Sequence, residues 1–276
     1  MKLLCIPDIH QDLSTFEKYA DFEKYQKIIL IGDYCDAWES KEWWMDLKHN
    51  PIQILKKLVN LKKKYPDILE LCLGNHDWAY FGYDKDSDNV SGHQHLHHAE
   101  IREFFIKNKE FFKIAYGTGK YLFSHAGFSD DFVTSLEANP ESAEDIANKA
   151  NAVYLSGEMN FDHRGFDPYG DDRTERCLWI RPNALATWNG FKGVQIVGHT
   201  ECGLLKIVHE DEIIYIADSR NHEYALEIDT DADEIKPLGT DTITEEIIPH
   251  ERVLEARRKE EEYAKKMSDI ISKFGF

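Results

Sequence analysis

Apolar residues come in short unbroken runs along this chain, and most runs end in a polar turn. Lys2–Ile6 leads into Pro7-Asp8-Ile9-His10, and residues 28–31 into Gly32-Asp33-Tyr34-Cys35-Asp36. Residues 68–73 lead into Gly74-Asn75-His76-Asp77, 121–123 into Ser124-His125-Ala126-Gly127, and Val194–Val197 into Gly198-His199-Thr200. A short apolar run without polar alternation predicts a strand buried on both faces. Between the first two runs, Ser14 with Glu17 predicts a capping box, and Phe16, Tyr19, Ala20 and Tyr25 predict a helical stripe. These elements read as a βαβ unit whose polar groups sit at the carboxyl ends of the strands, where open α/β sheets bind ligands. If the first strand continues, Asp8 and His10 point the same way.

Other segments fill in around these strands. Asn50-Pro51 predicts a helix start, with Ile52, Leu55, Leu58 and Val59 as its buried face and the basic run Lys62, Lys63, Lys64 as a solvated end. Residues 99–112 predict another helix. Asn139-Pro140 opens a third, with Ala143, Ile146, Ala147, Ala150 and Val153 on one face, and 157–174 reads as loop. The runs 204–208, 213–217 and 224–228 predict an antiparallel meander. The tail from Asp241 is charged and helical in pattern, with Val253, Leu254, Tyr263, Met267, Ile270 and Ile271 as a packing face. The expectation is one domain over 1–240 and a helical tail over 241–276 packed on it. Two segments stay open between structural and functional readings. Trp38, Trp43 and Trp44 either cover a sheet edge or rim a cleft. His93, His95, His97 and His98 form a solvated loop, a substrate lid or a metal site.

Composition narrows the classes. Apolar residues make up 42% and aromatics 12% of 276 residues, so a sizeable core is available. The formal net charge of -18 disfavours stable binding to nucleic acid or anionic membranes, and acidic clusters suit divalent cations. The first apolar run is too short for a signal peptide or a membrane span, and no other run is long enough to span. The cysteines Cys5, Cys35, Cys72, Cys177 and Cys202 form no CxxC pair and read as free thiols of a reduced, cytoplasmic protein.

The chemistry lies in the strand ends. A lone histidine or aspartate after a strand has a structural explanation, but the same design recurs five times: Asp8 with His10, Asp33, Asn75 with His76, His125, and His199. A mixed oxygen and imidazole set suits manganese, iron or zinc, and too few thiols accompany it for a structural zinc site.

On these motifs, from Asp8 to Thr200, the chain resembles the calcineurin-like metallophosphoesterases. Gly-Asp-x-x-Asp and Gly-His-Thr resemble the branch holding Ser/Thr protein phosphatases and symmetrical dinucleoside tetraphosphate hydrolases. The resemblance implies an α/β (α+β) fold, a two-sheet β-sandwich flanked by helices. It also implies two divalent transition-metal ions, with manganese ahead of iron or zinc. Asp8, His10 and Asp33 would hold one metal; Asn75, His125 and His199 would hold the other; Asp33 would bridge them. A bridging water, made acidic by cations about 3.5–4 Å apart, would attack phosphorus. His76 would protonate the leaving group, with Asp36 behind it, and Asn75 would also face the substrate.

The implied function is a phosphatase acting on phosphomonoesters, including phosphoproteins. The alternative is a hydrolase of dinucleoside polyphosphates or of other phosphoanhydrides or phosphodiesters. Two departures from the family pattern matter. Ala37 stands where protein phosphatases carry a phosphate-clamping arginine, and Glu201 stands where many phosphodiesterases carry a second histidine. Arg181 in Leu178-Trp179-Ile180-Arg181-Pro182 resembles a phosphate-contacting arginine of the hydrolase branch, with a surface ion pair as the structural alternative. Arg164, Arg173 and Arg176 are weaker candidates. Glu201 is a candidate oxygen ligand. A metal-free scaffold that binds partners through its acidic surface is a different class, which metal analysis separates. The oligomeric state is left open.

Overall fold

A computed structural model of the chain describes residues 1–37, 51–82, 90–218 and 224–274, with the backbone alone at 260–261, 263–264 and 267–274. Trp38, Trp43, Trp44 and Asn50, and the side chains of Tyr263, Met267, Ile270 and Ile271, lie outside the described residues.

Two mixed sheets face each other. In the first, β1 (Lys2–Ile6), β2 (Lys27–Leu30) and β3 (Leu69–Leu71) run parallel, and β9 (Ala225–Asp229) and β10 (Glu234–Leu238) continue it antiparallel in the order β10-β9-β1-β2-β3. The second has the order β11-β7-β8-β6-β5-β4. It comprises β4 (Ala115–Thr118), β5 (Tyr121–Ser124), β6 (Val194–Val197), β7 (Gly203–His209), β8 (Glu212–Asp218) and β11 (Thr244–Ile247). Strands β5, β6 and β8 are parallel in it.

The apolar runs are continuous because both faces of each central strand are covered. Leu3, Cys5, Ile29 and Ile31 pack between the sheets with Phe123, Ile196 and Ala217. Their neighbours Leu4, Ile6, Ile28 and Leu30 pack outward into a second cluster. That cluster includes Phe16 of α1 (Ser14–Tyr19), Leu55 of α2 (Pro51–Lys64), Phe105 of α4 (His98–Lys107), Phe132 of α5 (Asp130–Ser135) and Ile146 of α6 (Ala143–Ser156), and Trp78 of α3 (Asn75–Trp78) packs against it. The outer face of the second sheet, with Ile207, Ile214 and Ile216, packs on Leu185 of α7 (Pro182–Thr187) and Val253 of α8 (His250–Phe274). The period of two thus assigns alternate residues to different cores. Among the described residues, no helix is long and apolar enough to cross a membrane.

Several local expectations shift. The Ser14–Glu17 capping box does not form: Leu13 occupies the cap position, and Asp12 Oδ1 accepts from Ser14 N at 2.8 Å. The helix expected from Asn139-Pro140 begins at Ala143, where the Ser142 side chain accepts from Asp145 N. Residues 244–247, expected as helix, form β11, paired parallel with β7. Of the predicted tail face, Val253 is buried and Leu254 is exposed. Four cysteines are buried, Cys202 is exposed, and all five are free thiols.

The basic end of α2 is not simply solvated. Lys62 reaches Glu70 Oε2 at 3.1 Å, and Lys27 and Lys113 reach the same buried carboxylate at 2.6 and 2.7 Å. Burial opposes the Glu70 charge, but Lys113, Lys27 and Lys62 outweigh it and hold the carboxyl below its ordinary value. The depressed native value means that Glu70 stabilises the fold above its unfolded pKa, and that this is lost as pH falls through the native value. Glu70→Ala strands three ammonium groups around a vacated site and should cost about 3 kcal/mol. A lower melting temperature at pH 7, with a gap to wild type that narrows in acid, is the expected result.

Candidate active site

The polar turns after β1, β2, β3, β5 and β6 meet at one edge of the sandwich. The strand does not continue past Ile6; the chain turns, and His10 and Gln11 take left-handed φ values of 38° and 64°. Asp33, Asp36 and His199 are left-handed too, at 50°, 64° and 64°. Such residues cost roughly 1–3 kcal/mol each unless the surroundings enforce them, and they gather at functional sites. Here the enforcement is visible. The Asp33 carbonyl accepts from Ile9 N and His10 N, and the Tyr34 carbonyl from Gln11 N. The buried Asp77 carboxylate ties the turn after β2 to the one after β3. It accepts from Tyr34 N at 2.8 Å, Cys35 N at 3.2 Å and Gly74 N at 3.0 Å.

Two turns close so tightly on carboxylates that they admit only glycine. A Cβ on Gly74 would lie 2.0 Å from Asp33 Oδ1, and one on Gly198 would lie 2.0 Å from Asp8 Oδ1. Asp33 Oδ1 accepts from His76 N at 3.0 Å, and Asp8 accepts from His199 N at 2.9 Å. Their remaining lone pairs face the interior of the site.

The histidines are oriented from behind. His125 Nδ1 lies 3.0 Å from the Ile31 carbonyl and His199 Nε2 lies 3.1 Å from the Trp179 carbonyl. His10 Nδ1 lies 3.0 and 3.2 Å from the carbonyls of Asp36 and Cys35. A carbonyl only accepts, so each of these nitrogens carries the proton and the opposite nitrogen carries a lone pair. The lone pairs converge. His125 Nε2 is 2.7 Å from Asn75 Oδ1 and 3.2 Å from His199 Nδ1, which is itself 3.1 Å from Asn75 Oδ1. Asp33 Oδ2 lies 3.5 Å from His125 Nε2 on one side and 3.6 Å from His10 Nε2 on the other. Asp8, Asp33 and His125 each offer an atom within a 4.8 Å group, and all three are buried.

Acceptors facing acceptors repel unless a cation sits among them, so this donor set fits divalent metal ions. The electrostatics agree. Burial first, then the charge of Asp218, pushes the Asp8 carboxyl well above its usual range. Burial, then Asp8 and Asp77, does the same to Asp33. Burial pushes His125 down to about 3 and His199 well below its ordinary value, so both imidazoles stay neutral and able to ligate.

His76 lies beside this set with its Nδ1 2.9 Å from Asp36 Oδ2, and both residues are buried. Arg181 caps the N-terminus of α7. Its Nη1 donates to the His199 carbonyl at 3.2 Å and Thr200 Oγ1 at 3.1 Å, and its Nε donates to the Tyr169 carbonyl at 2.9 Å. Burial lowers its pKa, while the charges of Asp33, Asp218 and Asp8 hold it up.

Arg173 and Arg176 engage other groups. Arg173 pairs with Asp130 and covers Trp188, and Arg176 covers Phe132. Glu201 is exposed. The histidine segment is solvated only in part: His93 and His98 are buried, with His93 Nε2 3.0 Å from His98 Nδ1, while His95 and Leu96 are exposed. Asp218, which ends β8, was not singled out in the sequence; it is buried and adds to the negative field on Asp8 and Asp33. Its signal was the same one read elsewhere, an apolar run ending in a carboxylate.

Two solved structures with TM-scores above 0.5 share the overall fold. A cold-active protein-tyrosine phosphatase of a psychrophilic Shewanella species matches over 86% of this chain and 80% of its own, at 16% identity and TM-score 0.52. A mutant cold-active protein tyrosine phosphatase matches over the same shares at 14% identity and TM-score 0.54. A protein serine/threonine phosphatase from Saccharomyces cerevisiae matches over 88% of this chain and 81% of its own, at 13% identity and TM-score 0.49. No curated protein matches the chain. The family model described as calcineurin-like phosphoesterase matches residues 1–202. The chain therefore belongs to the calcineurin-like phosphoesterase family, and is a phosphoric ester hydrolase of a kind that depends on divalent metal ions.

Proposed function

We propose that this protein is a dinuclear metal-dependent phosphatase acting on phosphomonoesters. The observation that carries the reading is the pair of lone-pair clusters sharing Asp33 Oδ2. Asp8, His10 and Asp33 would hold one metal; Asn75, His125 and His199, with Asp33, would hold the second. Manganese is the favoured ion on the mixed oxygen and imidazole set, with iron or zinc as alternatives. Bound there, the two ions would neutralise the phosphoryl oxygens and make water acidic enough to act as nucleophile at neutral pH.

The chain supplies the rest. Arg181 brings a permanent positive charge to the rim, suited to a phosphoryl oxygen. The Asn75 side chain would also face the substrate. His76, held through Nδ1 by Asp36, presents Nε2 towards the leaving oxygen and delivers its proton there as the ester bond breaks. A dinucleoside polyphosphate hydrolase is a second reading of the same centre. Arg181 beside His199 and Thr200, together with alanine at position 37, supports it.

Metal-loaded protein assayed against p-nitrophenyl phosphate, its bis ester, a phosphopeptide and diadenosine tetraphosphate separates these readings. No release from any of them, in protein holding two metals per chain, overturns both. Asp33→Asn should empty both positions, read as loss of nearly two metal equivalents by elemental analysis. His76→Asn should keep both metals and lose on the order of 100-fold or more in kcat on alkyl phosphates. Metal loss in that variant would instead make His76 a ligand. Arg181→Ala should raise KM for phosphomonoesters with metal content unchanged; an unchanged KM would remove Arg181 from the substrate site.

A further inference from the structure

Behind the Asp36–His76 pair stands a residue that the proposed chemistry does not use. Tyr80 is fully buried, four residues after His76, and its hydroxyl lies 2.5 Å from Asp36 Oδ1. The other carboxylate oxygen, Oδ2, faces His76 Nδ1 at 2.9 Å. Gln94 N donates to the Tyr80 oxygen at 2.9 Å, so that oxygen's own proton is left to point at Asp36. Burial first, and the Asp36 charge second, push the Tyr80 hydroxyl far above its ordinary value. It stays protonated and is a donor only towards the carboxylate.

The ring is fixed as firmly as the hydroxyl. It stacks on His93 with centroids 4.2 Å apart and planes 22° apart, and it packs against His98 at 5.4 Å. Gln94 also bonds through its side-chain amide to Gln11, whose Oε1 accepts from Ala37 N at 3.0 Å. The segment 93–98 is therefore fastened to the turn that carries Asp36 by two routes, one through Tyr80 and one through Gln11.

We propose that Tyr80 is a positioning residue for the general acid: by donating to Asp36 Oδ1 it fixes the carboxylate so that Oδ2 holds His76 Nδ1–H and His76 Nε2 aims at the leaving group. The histidine-rich segment 93–98 is the clamp that holds Tyr80 in turn. No proton passes through Tyr80. The one transferred to the leaving oxygen is that of His76, and Tyr80 keeps its own. A carboxylate with one oxygen tied can rotate no further about its terminal bond, and a general acid out of line loses rate with little change in substrate affinity. The inference rests on the reading of His76 as general acid.

Leaving-group dependence tests it. A p-nitrophenolate departs without a proton, whereas an alkoxide needs one. Tyr80→Phe in metal-loaded protein should lower kcat on an alkyl phosphate by on the order of 10-fold to 100-fold, and on p-nitrophenyl phosphate by less than about 3-fold. KM and two metals per chain should be unchanged. Equal loss on both substrates, or no loss on either, overturns the proposal. Asp36→Asn serves as the internal standard: if it too fails to discriminate between leaving groups, the general-acid reading fails and the role of Tyr80 falls with it; if it discriminates and Tyr80→Phe does not, only the role of Tyr80 is overturned. Should Tyr80→Phe not fold or not load metal, a ring-fluorinated tyrosine placed only at position 80 keeps the shape and changes the acidity of the hydroxyl. An altered alkyl-to-nitrophenyl rate ratio supports the proposal, and an unaltered ratio overturns it.

Discussion

Asp8 and Asp33 are buried side by side in a field made more negative by Asp77 and Asp218, and this is the condition to which the rest of the site answers. Carboxylates in such a place are costly unless backbone donors and cations offset them. The donors come from the turns. His199 N and His76 N reach the two carboxylates, and glycines at 198 and 74 let those turns come close enough. The cost extends to the backbone, where Asp33, Asp36, His10 and His199 accept left-handed conformations that only dense cross-bonding can hold. The lone pairs of the neutral His125 and His199 imidazoles and of the Asn75 amide then face each other, which is an arrangement that divalent cations complete.

Much of this was legible in the sequence because it is local. An apolar run that needs no polar alternation predicts a doubly covered strand, and the residue that breaks the run marks the sheet edge. Asp8, Asp33, Asn75, His125 and His199 were all found by that one rule, and the fold brings all five together. Asp218 obeys the same rule, but the sequence predicts its strand as part of an antiparallel meander, whose strand ends alternate between edges. β8 does pair antiparallel with β7, but its other neighbour β6 is parallel to it, so its carboxyl end reaches the same edge as theirs. Only the pairing, which is long-range, reveals that. Tyr80 left no trace either: a tyrosine beside Trp78 and Phe81 reads as core, and its bond to Asp36 spans 44 positions.

The misplaced helix starts have a related cause. Ser14 with Glu17, and Asn139-Pro140, are sound capping patterns in isolation. Asp12 takes the Ser14 amide instead, and Ser142, three residues later than expected, has the serviceable side chain for α6. In each case a competing oxygen lay within a few residues, and tertiary packing chose between them. The basic end of α2 shows the same choice on a larger scale. Lys62 would be an ordinary solvated side chain were Glu70 not buried beneath it in the neighbouring strand.

The proposed ligands of the site come from two different sheets. Asp8, Asp33 and Asn75 hang from β1, β2 and β3, while His125 and His199 hang from β5 and β6, and the inter-sheet packing of Leu3, Cys5, Ile29 and Ile31 against Phe123, Ile196 and Ala217 lies behind them. The sandwich interior is thus a caliper. Its thickness sets the gap across which the two halves of the ligand set address one another, and close packing lets that gap vary little. A methyl group gained or lost at Ile29 or Ala217 would change no ligand, yet it would be read out at the far edge as a changed spacing. In this molecule the tolerance of the chemistry is machined by residues that never meet the substrate.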